Sequence, residues 1–189
     1  LVILDKDNYS VNATLKSLKI PNRPMVFEMP LFPVGFERTG FDEQASMSPQ
    51  FVADTNAHRK VINVWKYLSG GPKPPPMPDT VLIQLCTNVK TAVDKIKARG
   101  GKVFFVRTPS SGDMGFGESM AFPKERFWTT LLKVTGCDGF HFTDNPITAK
   151  MVCPENSHLT PADAVIYTQQ LVKRLQDNPI IHPSTASIN

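Results

Sequence analysis

A chain of 189 residues, 41% apolar and 20% charged, can bury the core of a single globular domain and is too apolar for a disordered or collagen-like segment. Its net charge of +4 is spread over scattered lysines and arginines that never form a run of about five or six, so the basic residues read as a solvated surface and no nucleic-acid partner is expected. No stretch approaches the roughly eighteen apolar residues that a membrane-spanning helix needs.

The chain opens on Leu1-Val2-Ile3-Leu4, without an initiating Met, and reads as an excised or processed piece. The apolar run gives way to the turn-like Asp5-Lys6-Asp7-Asn8, and Leu15 and Leu18 place a weak helical period over 11–20. Pro24 introduces Met25-Val26-Phe27-Glu28-Met29, a compact strand candidate closed by Pro30 and Pro33. Residues 30–47 mix Pro, Gly and aromatics without a period, which predicts a long loop serving as a functional rim or a cover over the core. Ser48-Pro49 then starts a helix with Phe51, Val52, Val61, Ile62, Trp65 and Leu68 on its apolar face, stopped by Gly70-Gly71.

The run Gly71-Pro72-Lys73-Pro74-Pro75-Pro76-Met77-Pro78 reads as a stiff spacer between two helices rather than as a ligand for an SH3-type module. Asp79 is placed to cap the next helix, whose face is Leu82, Leu85, Cys86, Val89, Val93 and Ile96 and whose end is Gly100-Gly101. Residues 102–107 form a near-continuous hydrophobic run, the pattern of a strand buried on both faces of a parallel sheet. A small-residue loop is expected over 108–115. Phe122-Pro123 begins a helix carrying Phe127, Trp128, Leu131 and Leu132 that ends near Gly136, and 138–144 reads as a strand of alternating aromatics. After a loop over 145–157, Thr160 caps and Pro161 starts the last helix, with Ala164, Thr168, Leu171, Val172 and Leu175 inward. The tail over 177–189 is expected to be extended.

This alternation of strand and helix predicts a single α/β domain over 1–176, a three-layer α/β/α arrangement around a mainly parallel sheet, with ligands beyond the carboxyl ends of the strands. The loops at 108–115 and 145–157 both emerge there. Cys86, Cys137 and Cys153 leave at least one thiol unpaired, and a strand of about 3.3 Å per residue between Cys137 and Cys153 holds those two apart, so all three are expected to be free.

Glu155 and His158 are the leading chemical candidates. An imidazole accepts a proton near neutral pH when a carboxylate holds its other nitrogen, and a bend of three residues can bring Glu155 to His158. The same spacing equally describes a histidine that merely hydrogen-bonds the turn before a helix.

The segment 82–175 resembles the carboxyl-terminal half of an SGNH/GDSL-type hydrolase. The likeness is carried by a long helix, Ala98-Arg99-Gly100-Gly101-Lys102, a strand ending in Val106-Arg107-Thr108-Pro109, a later strand ending in Asp144, then Glu155-Asn156-Ser157-His158-Leu159 and a closing helix. The family's last block is Asp-x-x-His, with Glu here in place of Asp. The resemblance implies an SGNH/flavodoxin-like fold and a serine-type acyl-ester hydrolase or O-acyltransferase, with His158 as general base and Glu155 orienting it. The implied substrate is a small-molecule or carbohydrate acyl ester, the implied setting the cell envelope or secretion, and neither metal nor organic cofactor is implied. The family's Gly-Asp-Ser nucleophile block has no counterpart in these residues and is expected upstream of Leu1. The alternative is a non-catalytic SGNH-like binding or scaffold domain in a cell-envelope assembly.

Other side chains weigh less. Ser119, in Gly117-Glu118-Ser119-Met120, has a loosely similar neighbourhood but the wrong place in the family's order, and Ser110 and Ser111 suit site-lining hydroxyls or turn formers alike. Cys153, close before His158, suggests a Cys-His pair but reads better as a buried thiol. His141 and Asp144, three apart on an expected strand, would point to opposite faces and so form no metal site with Glu155 and His158. His58 and His182 have no constellation around them, and the aromatics are core by spacing.

Overall fold

The computed structural model describes residues 32–33, 35–39, 44–71 and 75–178. The expected helix at 11–20, the strand at 25–29, the tail from 179 onward and His182 lie outside them. The chain divides into two compact units, one ending at Gly71 and the other beginning at Pro72.

In the first unit the stretch expected as an aperiodic loop carries a short antiparallel ladder, β1 (Arg38–Thr39) with β2 (Ala45–Ser46). Gly35 makes the close approach that docks this stretch. At φ +88° it accepts the Ser48 N–H through its carbonyl at 2.9 Å, and a Cβ there would meet Ser48 Oγ at 2.5 Å. The single helix expected after Ser48 is two. Ser48 Oγ caps α1 (Pro49–Ala53) through the Phe51 N–H, and Asp54, in extended conformation, ends it and caps α2 (Thr55–Leu68) through the Asn56 and Ala57 N–H groups. Phe36, Met47, Phe51, Ala57 and Val61 form the buried cluster, with Val52 and Trp65 packed against it. Within α2, Val64 is buried, whereas Leu68, expected on the apolar face, is half exposed at the helix end.

The second unit begins with α3 (Asp79–Lys97). Pro78, not Asp79, is its capping residue, and the Asp79 carboxylate instead accepts from Arg126. Of the expected face, Leu82, Cys86 and Val93 are buried while Leu85, Val89 and Ile96 are exposed. The next strand, β3, is only Phe104–Arg107, and Val106 is 42% exposed, so the strand is not buried on both faces as its composition suggested. Where a loop was expected through 115, the chain turns at Gly112 (φ +54°) directly into α4 (Gly112–Ala121). Then follows α5 (Lys124–Thr135), closed by left-handed Gly136.

Strand β4 (Asp138–His141) lies parallel to β3 in the register Phe104 to Asp138 through Arg107 to His141. It stops three residues earlier than the alternating aromatics suggested, because His141 caps a 3-10 turn over Phe142–Asp144. A Cβ on Gly139 would meet Trp128 at 2.6 Å and Leu132 at 3.1 Å, and the next residue, Phe140, packs against Tyr167 with centroids 5.9 Å apart. Tyr167 belongs to α6 (Pro161–Gln176), where it is the buried residue; the expected inward Thr168 and Val172 are exposed. The described chain is thus mixed α/β, with six α-helices and a small two-stranded parallel sheet. Among the described residues no helix is long and apolar enough to cross a membrane.

Candidate active site

The start of α6 anchors the loop before it. Thr160 Oγ1 accepts the Asp163 N–H at 3.1 Å and donates its own proton to Asp163 Oδ2 at 2.8 Å, while Pro161 occupies the first helical position, where no N–H is needed. Upstream, a tight turn runs from Cys153 to Asn156, whose N–H donates to the Cys153 carbonyl at 3.0 Å. Asn156 takes φ +79°, a conformation that asparagine tolerates better than most residues.

This turn is tied to the carboxyl end of β3. Ser111 N–H donates to the Asn156 carbonyl at 2.9 Å, Ser111 Oγ accepts the Cys153 N–H at 2.8 Å, and the Cys153 thiol points to the Pro109 carbonyl at 3.5 Å. Gly112 completes the seam, since a Cβ on it would lie 2.3 Å from Asn156 Oδ1. Ser111 therefore leaves the first turn of α4 without a side-chain cap and serves the His158 loop instead.

Glu155 is the largest wholly buried side chain among the described residues, at 0% exposure, whereas the His158 side chain is 57% exposed. A buried carboxylate is tolerated only when donors surround it. Here Oε1 accepts from the backbone N–H of Ser157 at 3.1 Å and of His158 at 2.5 Å, and Ser157 Oγ reaches Oε2 at 2.8 Å. His158 Nδ1 lies 3.1 Å from Glu155 Oε1 and 2.6 Å from Ser157 Oγ. Both of these contacts fall on Nδ1, and a proton placed there would suit the carboxylate as its acceptor. Glu155 thus reaches the imidazole as the bend of three residues allows, and the longer acid is accommodated by folding inward.

The remaining sequence candidates separate. Ser111 joins the loop by the bonds above. Ser110 Oγ donates to Glu118 Oε2 at 2.5 Å and accepts from Arg107, which is also paired with Glu118, so this hydroxyl ties α4 to β3. Ser119 lies in the last turn of α4, exposed, with its hydroxyl given to the Phe116 carbonyl at 2.8 Å, and no strand-to-helix elbow surrounds it.

Cys86, Cys137 and Cys153 are buried free thiols. Burial pushes the Cys153 thiol up to about 11, with Glu155 and Asp163 adding to the effect against the Ser111 hydrogen bond, so the side chain stays a neutral thiol at ordinary pH. His141 and Asp144 are not on one strand as expected: the 3-10 turn brings them together, with the His141 N–H donating to Asp144 Oδ2 at 3.1 Å. Among the described residues no group of three His, Cys, Asp or Glu side chains is arranged to hold a metal ion.

Two participants were passed over in the sequence. Asn156 was signalled only by its tolerance of a left-handed backbone, and Ser157 only by standing next to the histidine. Compared with protein-family models, with curated proteins and with solved structures, the chain matches none.

Proposed function

We propose that the turn and loop over 153–160 are the base half of an acyl-transfer site, in a serine-type ester hydrolase or O-acyltransferase of the SGNH/GDSL class. The observation that carries this is the contact between wholly buried Glu155 and exposed His158, 3.1 Å at Nδ1, which supports the tautomer a general base needs. His158 Nε2 takes the proton of an attacking serine hydroxyl and returns it to the leaving alcohol. Glu155 orients the ring and balances the charge of the imidazolium formed in between. The serine is proposed to come from outside these 189 residues, and the substrate is an O-acylated sugar or other small ester.

The three-layer α/β/α arrangement belongs to the same proposal. Successive residues of a strand face opposite sides of its sheet, and Gly139 meets α5 while Phe140 meets α6, which supports helices on both faces.

A second reading, a non-catalytic SGNH-like domain that binds carbohydrate or scaffolds an envelope assembly, is favoured by the lack of any Gly-Asp-Ser block in the sequence. Acetate release from a chromogenic ester by the longest form of the protein separates the two. Turnover lost in His158→Ala supports the hydrolase; turnover unchanged in that variant removes His158 from the mechanism. Absence of turnover together with saturable glycan binding favours the second reading.

A further inference from the structure

We infer that Ser157 is a positioning residue, the middle member of a relay in which Glu155 holds His158 mainly through the serine hydroxyl rather than directly. The inference rests on the proposed base role of His158 and concerns how that role is prepared.

Lone-pair arithmetic leads to it. A carboxylate oxygen offers about two acceptor sites. Those of Glu155 Oε1 are met by the backbone N–H groups of Ser157 and His158, at 3.1 and 2.5 Å. A third donor at Oε1, the imidazole Nδ1–H at 3.1 Å, is then the weaker contact, while Ser157 Oγ stands 2.6 Å from the same nitrogen. The serine hydroxyl proton has a better destination in Oε2, at 2.8 Å, than in Oε1, at 3.0 Å. Every group is satisfied when Nδ1–H donates to Ser157 Oγ and Ser157 Oγ–H donates to Oε2. With Glu155 ionised, its carboxylate only accepts, and both bonds run toward it. The imidazole is thereby held in the tautomer that carries its lone pair on Nε2. The arrangement also lets an acid one methylene longer than aspartate serve this loop: the carboxylate sits under the turn, and the hydroxyl joins its Oε2 to the ring.

The test reads the ring itself. In full-length protein with 15N-labelled histidine, imidazole nitrogen shifts above the ring's titration are expected to show the Nδ1–H tautomer predominating for His158. Ser157→Ala leaves the two backbone bonds to Glu155 in place and is expected to move the shifts several-fold toward the Nε2–H tautomer, with amide signals outside 153–160 unchanged. Ser157→Thr, which keeps the hydroxyl, is expected to restore them. Where ester turnover is measurable, Ser157→Ala lowers kcat by on the order of tens of fold with little change in KM, as a misplaced base does. Parental imidazole shifts in Ser157→Ala, or Ala and Thr variants equally disturbed, overturn the relay. Lack of ester turnover in the parent protein sinks the hydrolase proposal alone, since the tautomer measurement does not depend on it.

Discussion

Two histidines of the second unit, His141 and His158, each have a carboxylate three residues away, and the structure sets them in opposite surroundings. At His141 the ring Nδ1 is an acceptor: it takes the Thr143 N–H at 3.3 Å and lies 2.9 Å from the Thr143 hydroxyl. Asp144 bonds the backbone N–H of His141 and pairs with Lys124, leaving the ring to cap the 3-10 turn. At His158 the Nδ1 position faces Glu155 and Ser157, and in the relay proposed above the nitrogen is a donor. A neutral ring whose Nδ1 accepts carries its proton on Nε2 and has no lone pair left there; one whose Nδ1 donates has the reverse. Acid and histidine at a fixed spacing therefore do not define a base. What decides is which atom of the pair the backbone claims first.

The most direct way to break the comparison is to remove each ring. His158→Ala is expected to lower ester turnover by on the order of 10⁴-fold or more. His141→Ala is expected to leave turnover near the parental value while costing about 1 kcal/mol in urea denaturation, the loss of a capping acceptor. A comparable loss of turnover in both variants would erase the distinction.

Next in size is Glu155→Gln, nearly isosteric but with a donor where only acceptors fit. It is expected to lower kcat by on the order of 10² to 10⁴-fold, and to reduce stability by about 1–3 kcal/mol through the unmatched N–H groups. Asp144→Asn is expected to leave kcat alone. Cys153→Ala sharpens the comparison from another side by testing a rival nucleophile in the same loop. Turnover is expected to persist, and the parent Cys153, its thiol pushed up to about 11, is expected to resist alkylation at pH 8 until the protein unfolds.

The smallest effect is a pH dependence. Burial, reinforced by Lys124 and Arg107 and opposed by Asp144, holds the His141 imidazole below its ordinary value of 6.5. The unfolded chain then binds the proton more readily than the native one. The contribution of His141 to stability is full above the unfolded value and is lost as pH falls through the lower folded one. Urea midpoints measured on either side of that window are expected to converge in His141→Asn, which keeps an acceptor at the cap but cannot titrate.

The sequence made some of this plain and hid the rest for definite reasons. Thr160-Pro161 and Gly136 were legible because a cap or a left-handed stop depends on one or two residues and their immediate neighbours. The end of β4 was not, since Phe140, His141 and Phe142 continue an alternating pattern, and the reciprocal cap between His141 and Asp144 turns the chain aside. Gly112, Gly115 and Gly117 disguised α4 as a loop, although it is anchored through Arg107, Ser110 and Glu118. Asp54 broke the helix after Ser48 because its carboxylate serves as a cap, something the apolar spacing around it does not reveal. Glu155 and His158 stood out by spacing, but Ser157 carried no signal of its own. Its contribution depends on the carboxylate being buried beneath the turn, which no linear pattern reports.

The seam between Ser111 and the turn at Cys153 also bears on the order in which the molecule assembles. Its side-chain bonds, Cys153 N–H to Ser111 and the Cys153 thiol to Pro109, join residues 42 and 44 positions apart, a closure that carries an entropic cost until the intervening helices and β4 are in place. The helix start at Thr160 closes over only three residues and needs no such partner. The amide hydrogens of Ser111 and Cys153 should consequently exchange with solvent in step with those of the β3 and β4 ladder, as one cooperative opening. The turn that sets Glu155 beside His158 is thus closed only when the sheet is complete, so a half-folded chain carries both residues but not the contact between them.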